Sequence, residues 1–238
     1  MINVNNMSKK YGKLVANNNI NLSIDGGELA VLLGPNGAGK STLIKSICGL
    51  LRFGGSITID GHENHTTEAK RLLGYVPEFP VLYPMLTVAE HLEFIAKAYR
   101  LDNWKQNAKE LLRRFELDDK NMKLGKELSK GMQQKVSVCC ALLPQPKAVV
   151  FDEPLVGLDP HGIRELKAVM QQLRDSGCAL LVSTHMIESM EENWDVTYIM
   201  VKGQIERVCR RSEIKAGQSL EDVYFEITEG HPEDTRHE

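Results

Sequence analysis

The run Gly34-Pro35-Asn36-Gly37-Ala38-Gly39-Lys40-Ser41-Thr42 constrains this chain more than any other feature. It follows the apolar stretch Leu29-Ala30-Val31-Leu32-Leu33 and precedes a helix-like stretch over residues 43–50. Strand, glycine-rich turn, then helix is the context of a phosphate-binding loop. Glycine has no Cβ and tolerates positive φ, so backbone N–H groups close around phosphate oxygens. The helix that follows aims its free N–H groups and positive dipole end at the same place. Lys40 is placed to reach β- and γ-phosphates, and Ser41 to offer a hydroxyl to Mg²⁺. The loop predicts a bound nucleotide but not its use.

The rest of the composition narrows the class. A chain of 238 residues fits one large domain, or one domain with an inserted lobe. A net charge of −3 argues against a general nucleic-acid binder. No apolar run approaches the ~18–20 residues that span a bilayer. Lys9 and Lys10 near the N-terminus are not followed by the apolar segment of a secretory signal. Cys48, Cys139, Cys140, Cys178 and Cys209 are odd in number and form no CxxC pair, so reduced, mostly buried thiols in a cytosolic protein are expected.

Patterning then divides the chain. Ile20-Asn21-Leu22-Ser23-Ile24 alternates as a strand and ends at Asp25-Gly26-Gly27. Ser56-Ile57-Thr58-Ile59 is a second strand, and residues 72–76 a third. From residue 80 the period becomes helical. Thr87-Val88-Ala89-Glu90 fits a capping box, with Val88, Leu92, Ile95 and Tyr99 on one face. A second helix starts near Asp102 or Asn103, with Trp104, Ala108, Leu111, Leu112 and Phe115 inward. A third follows Ser129, with Val136, Cys139, Cys140 and Leu143 inward. The α/β pattern returns with the buried run Ala148-Val149-Val150-Phe151, an amphipathic helix through Ile163, Leu166, Val169, Met170 and Leu173 ending at Gly177, a strand over 178–182, and a hairpin around Lys202-Gly203. The expectation is one domain over 1–238. Residues 1–79 and 146–228 form an α/β core with a β subdomain, 80–145 a helical lobe, and 229–238 a mobile charged tail.

Asp152-Glu153 closes the buried run 148–151. At the carboxyl end of a strand, Asp152 is placed to hold Mg²⁺ directly or through water, and Glu153 to orient or deprotonate an attacking water. His185 ends Leu180-Leu181-Val182-Ser183-Thr184-His185, at the sheet edge where ligands bind in open α/β folds. It could donate a hydrogen bond to a γ-phosphate.

With Leu128-Ser129-Lys130-Gly131-Met132-Gln133-Gln134-Lys135 and Gly157-Leu158-Asp159-Pro160, these motifs resemble an ABC-type ATPase subunit, in the family's order and over nearly the whole chain. The resemblance implies a P-loop NTPase core with an antiparallel β subdomain and an inserted α-helical subdomain. It implies MgATP as the ligand and a head-to-tail dimer with two ATP molecules at its interface. Ser129, Gly131 and Gln133 would then act across the dimer, on the γ-phosphate held by the other copy, and Asp159 would lie in the dimer loop. Tyr11 matches the aromatic residue that stacks on adenine. Three positions depart from the family's pattern. Lys130 replaces the first glycine of Leu-Ser-Gly-Gly-Gln, and is expected to be a solvated cation at a helix start; Met132 replaces the glutamine. Glu78, in Gly74-Tyr75-Val76-Pro77-Glu78, stands where the family has glutamine, and a carboxylate there is a further Mg²⁺ ligand.

Residues 75–78, 82–83, 86–90 and 219–225 are also similar to the branch serving drug, sodium, antibiotic-peptide and lipid or polysaccharide exporters. That resemblance implies an ATPase that energises transport, export rather than import, through a separate permease. The permease would dock near residues 78–86, on Leu82, Tyr83 and Leu86. The subunit would lie on the cytoplasmic face of the membrane and pair as a homodimer or with a second ATPase subunit. The rival is a soluble ABC-type ATPase of DNA repair or translation, but the coiled-coil insertion, second ATPase unit and basic surface of such proteins are missing from the sequence. A guanine-reading Asn-Lys-x-Asp motif is missing too.

Overall fold

The computed structural model describes residues 1–185, 187–190, 194–214 and 219–228. The expected tail at 229–238 lies outside the described residues.

Two sheets organise the described residues. The first is antiparallel, in the order β2 (Leu14–Ile24), β1 (Ile2–Tyr11), β4 (Gly54–Ile59), β5 (His62–Glu63). The second has the order β10 (Gln204–Arg210), β9 (Val196–Val201), β3 (Leu29–Leu33), β8 (Ala179–Ser183), β7 (Ala148–Asp152), β6 (Leu73–Val76). Its five strands from β9 to β6 run parallel, and β10 is antiparallel to β9.

The continuous apolar runs have a direct cause: these strands are covered on both faces. Along β3, Leu29, Val31 and Leu33 enter one core, while Ala30 and Leu32 enter another. The first core is closed by helices, among them α3 (Val88–Tyr99), α4 (Trp104–Arg114), α5 (Lys130–Leu142) and α6 (Pro160–Asp175). The second lies between the sheets and is filled by Leu43, Ile44 and Ile47 of α1 (Lys40–Ile47) with Ile2, Ile24 and Ile59 of the antiparallel sheet.

The capping box forms as the sequence predicts. The Thr87 hydroxyl accepts the Glu90 N–H at 3.2 Å, and Glu90 Oε2 accepts the Thr87 N–H at 2.7 Å. Leu72 belongs to a short helix, α2 (Thr67–Leu72), not to the strand expected over 72–76. Cys140 is only partly buried, unlike Val136, Cys139 and Leu143. The α5 face that carries it fronts an open groove beneath Tyr83 and Phe94. A second unexpected helix, α7 (Leu220–Thr228), packs through Leu220 and Val223.

Asp159 caps α6. Its Oδ1 accepts the Gly162 N–H at 2.6 Å, and its Oδ2 receives the buried Lys135 Nζ at 3.1 Å. The Gly162 N–H and then Lys135 hold its carboxyl below the usual carboxylate range. The resulting stability is complete above the unfolded pKa of about 3.9 and is lost as pH falls through the lower folded value. Asp159→Ala removes the cap and leaves Lys135, among the described residues, with the longer ion pair to Glu116 at 3.9 Å. A loss of about 1–2 kcal/mol in urea unfolding at pH 7 is expected, shrinking toward pH 3.

Candidate active site

The site lies at the carboxyl edge of the parallel sheet, because β3, β7, β8 and β6 all end there. After β3, the loop 34–39 turns into α1. Gly37 and Gly39 have φ of +80° and +103°, a region that favours glycine. A Cβ on Gly34 would collide with the Met200 carbonyl oxygen, and one on Gly39 would meet the Ala16 carbonyl oxygen at 2.5 Å. The loop is also tied from outside: Gly203 N–H donates to Ala38 O at 2.9 Å, and Asn17 Nδ2 to Gly39 O at 3.2 Å. Pro35, Asn36 and Gly37 are exposed, as is Ser41 at the first turn of α1, and Thr42 is half-buried.

Lys40 is buried, and its Nζ donates to Gly34 O at 2.6 Å and Pro35 O at 3.2 Å. Burial lowers its pKa, while Glu153, Asp152 and Glu78 each act to raise it. Three carboxylates from the ends of β6 and β7 thus act on the charge of one lysine, whose Nζ is itself bonded to backbone carbonyls. Ser41, Asp152 and Glu78 are hard oxygen donors of the kind Mg²⁺ takes. Asp152 Oδ1 accepts the Ser183 hydroxyl at 2.6 Å, which fixes the carboxylate.

Glu153 is buried and has φ of +47°, unusual for a side-chain-bearing residue. Such strain recurs at active sites. Here Ser183 over-determines it, since its carbonyl and hydroxyl oxygens accept the Glu153 N–H at 3.1 and 3.2 Å. The Glu153 Oε2 accepts the His185 N–H at 3.3 Å and lies 2.9 Å from His185 Nδ1. A proton on Nδ1 satisfies that contact and leaves Nε2 facing outward on a side chain 60% exposed. A cavity of about 240 Å³ is bounded by Gly34, Pro35, Asn36, Thr184, His185 and Tyr224. A buried carboxylate beside a histidine and a phosphate-type loop can activate a water next to a held phosphoryl group.

The sequence pattern of the ABC transporter family matches residues 17–156. The chain belongs to that family. It is an ATP-binding subunit with ATPase activity. It is 33% identical to the ABC-type transporter ATP-binding protein EcsA of Bacillus subtilis (strain 168), over 100% of this chain and 99% of the relative. It is 30% identical to the lantibiotic transport ATP-binding protein SrtF of Streptococcus pyogenes, over 94% and 96% of the two chains. A solved ATP-binding subunit of an ABC transporter superposes with a TM-score of 0.91 at 35% identity, covering 96% of this chain and 99% of that one. A dimeric cassette in a post-hydrolysis state bound to ADP and Pi superposes at 0.78 with 28% identity, covering 88% and 98%. Full-length similarity to transport subunits decides against the repair or translation ATPase.

The remaining motif residues of the cassette have local roles. Ser129 is exposed and caps α5, its Oγ accepting the Met132 N–H at 3.3 Å. Gly131 must lack a side chain, since a Cβ would stand 2.7 Å from Gly157 O. Gln133 Nε2 donates to Gly125 O and Leu128 O at 3.3 and 3.2 Å. The Tyr11 ring stands exposed at the end of β1, with Lys9 Nζ 5.0 Å from its centroid. Leu82 and Leu86 are partly buried, Leu82 against the helical core. The outward side chains of that segment are Val81, Tyr83 and Met85. His91, which no sequence motif marked, is buried and braces the segment. Its Nε2 accepts the Tyr83 N–H at 2.9 Å while Nδ1 contacts Thr87 O at 2.7 Å, so the proton sits on Nδ1.

Proposed function

We propose that this subunit binds MgATP in a head-to-tail dimer, hydrolyses it by in-line attack of water, and energises export through a separate permease. The observation that carries the chemistry is the Glu153–His185 contact at 2.9 Å beside the Ser183-fixed Asp152. Lys40 and the loop N–H groups 34–42 hold the phosphates. Ser41, Asp152 and Glu78 would hold Mg²⁺, which when bound would supply charge neutralisation for the phosphates. Glu153 takes the proton of the attacking water, and His185 holds the γ-phosphate through its outward Nε2. Tyr11 receives the adenine. Ser129, Gly131 and Gln133 approach the γ-phosphate of the other copy from the dipole end of α5, with Asp159 in the dimer loop. Dimeric solved cassettes support the pairing, which can be with a second copy or a second ATPase subunit. Residues 80–145 act as the helical lobe, inserted in a core formed by 1–79 and 146–228.

Among the described residues no helix is long and apolar enough to cross a membrane. The membrane-spanning part is thus assigned to a partner, with the subunit held on the cytoplasmic face. The groove lined by Pro77, Val81, Leu82, Tyr83, His91 and Phe94 is the assigned docking face, and export follows relatives such as the SkfA peptide export ATP-binding protein of Bacillus subtilis (strain 168). Replacing Val81, Tyr83 and Met85 together by aspartate is expected to abolish co-purification with the membrane protein that the parent chain retains. Basal ATPase stays within about twofold, since these side chains are exposed. Undiminished co-purification removes the docking assignment.

A further inference from the structure

The segment Pro77-Glu78-Phe79 leaves β6 with no regular structure and is held from one face of α5. Gln134, 1% exposed, donates Nε2–H to Pro77 O at 3.4 Å. One turn earlier, Lys130 Nζ stands 5.6 Å from the centroid of the Phe79 ring. Residues four apart share a helix face, so the carbonyl before Glu78 and the ring after it rest on one stripe. The Lys130 methylenes also lie 3.8–3.9 Å from where a Cβ of Gly157 would stand. Lys130 is exposed, as its sequence position suggests, and its side chain also runs past the loop before α6 to the ring of the 77–79 segment.

We propose that Lys130 is a positioning residue for Glu78: with Gln134 it clamps 77–79 to the start of α5, so that Glu78 moves with α5 rather than with β6. The inference rests on the reading of Glu78 as a Mg²⁺ ligand. A lysine at a helix start opposes the dipole, and the negative face of the Phe79 ring offsets that. A glycine at position 130 has no side chain to reach Phe79. Two of the three departures from the family's pattern, Lys130 and Glu78, are thus joined through Phe79.

The test uses the full chain with Lys130→Met, Lys130→Arg, Phe79→Leu and Glu78→Gln. Two quantities are read: amide hydrogen exchange over 77–82 without nucleotide, and the Mg²⁺ concentration giving half-maximal turnover at saturating ATP. Lys130→Met and Phe79→Leu are expected to speed exchange over 77–82 about three- to tenfold and to raise the Mg²⁺ requirement by a similar factor. KM for ATP and the melting temperature stay near those of the parent. Lys130→Arg, which keeps the cation over the ring, restores both readings. Parental exchange in Lys130→Met, or failure of Lys130→Arg to restore it, overturns the clamp. A parental Mg²⁺ requirement in Glu78→Gln instead overturns the metal reading of Glu78, whatever the exchange shows.

Discussion

Glu153→Gln will bind ATP, form the dimer and hydrolyse about 10²–10⁴-fold more slowly than the parent. That span is what a positioned general base contributes. The substitution is nearly isosteric. The amide oxygen can still accept from the His185 N–H, and the strained backbone at φ +47° stays held by Ser183. What disappears is a group able to take the proton of the attacking water. With hydrolysis blocked, ATP remains as the bridge between copies, so size-exclusion chromatography in saturating MgATP should show a dimer. In the parent, which hydrolyses the bridge, the dimer is expected to be transient. A variant that stays monomeric under those conditions removes the composite-site reading. One that hydrolyses ATP at the parental rate removes Glu153 as the base.

Lys40→Met should fail earlier, at binding. The Lys40 ammonium is buried and carries its positive charge in the field of the Glu153, Asp152 and Glu78 carboxylates. It also satisfies the Gly34 and Pro35 carbonyls. Without it, incoming phosphates meet the negative field of those carboxylates and lose a charged donor. Hydrogen bonds to charged groups contribute about 1.5–3 kcal/mol each, so titration with a fluorescent ATP analogue should show affinity weakened by roughly 10–150-fold for one such bond, and more for two. The fold should survive, because the thioether still fills the space over the loop. Tight binding in a folded variant would take Lys40 out of the phosphate site.

The phosphate loop, Asp152-Glu153 and His185 were legible in the sequence because each is a local strand end whose chemistry sits in adjacent residues. The Thr87 cap was legible for the same reason. The antiparallel sheet was blurred, since register shifts at Val4/Met7, Met7/Lys9 and Lys9/Lys10, with Asn6 at φ +49°, break the period-2 pattern of β1. Helix α7 carried a readable start. Ser219 and Asp222 form reciprocal bonds of 2.8 and 3.0 Å, in the Ser-x-x-Asp spacing of a capping box. His91 and Gln134 left no local signal, because both act on backbone groups of a segment remote along the helix face or the chain. The inward assignment of Leu82 and the outward one of Met85 likewise depend on α3 and α5 being in place.

The order of strands in the parallel sheet has a consequence for how the subunit is made. β3 carries the phosphate loop and emerges early, yet its hydrogen-bonding partners are β8 and β9, near the other end of the chain. At about 5–20 residues per second on the ribosome, β3 waits on the order of ten seconds or more for either neighbour. During that interval both edges of an apolar strand are open to pairing with other chains. Nascent chains stopped before residue 179 should therefore be prone to aggregate and unable to retain ATP, although every residue of the loop has already been synthesised.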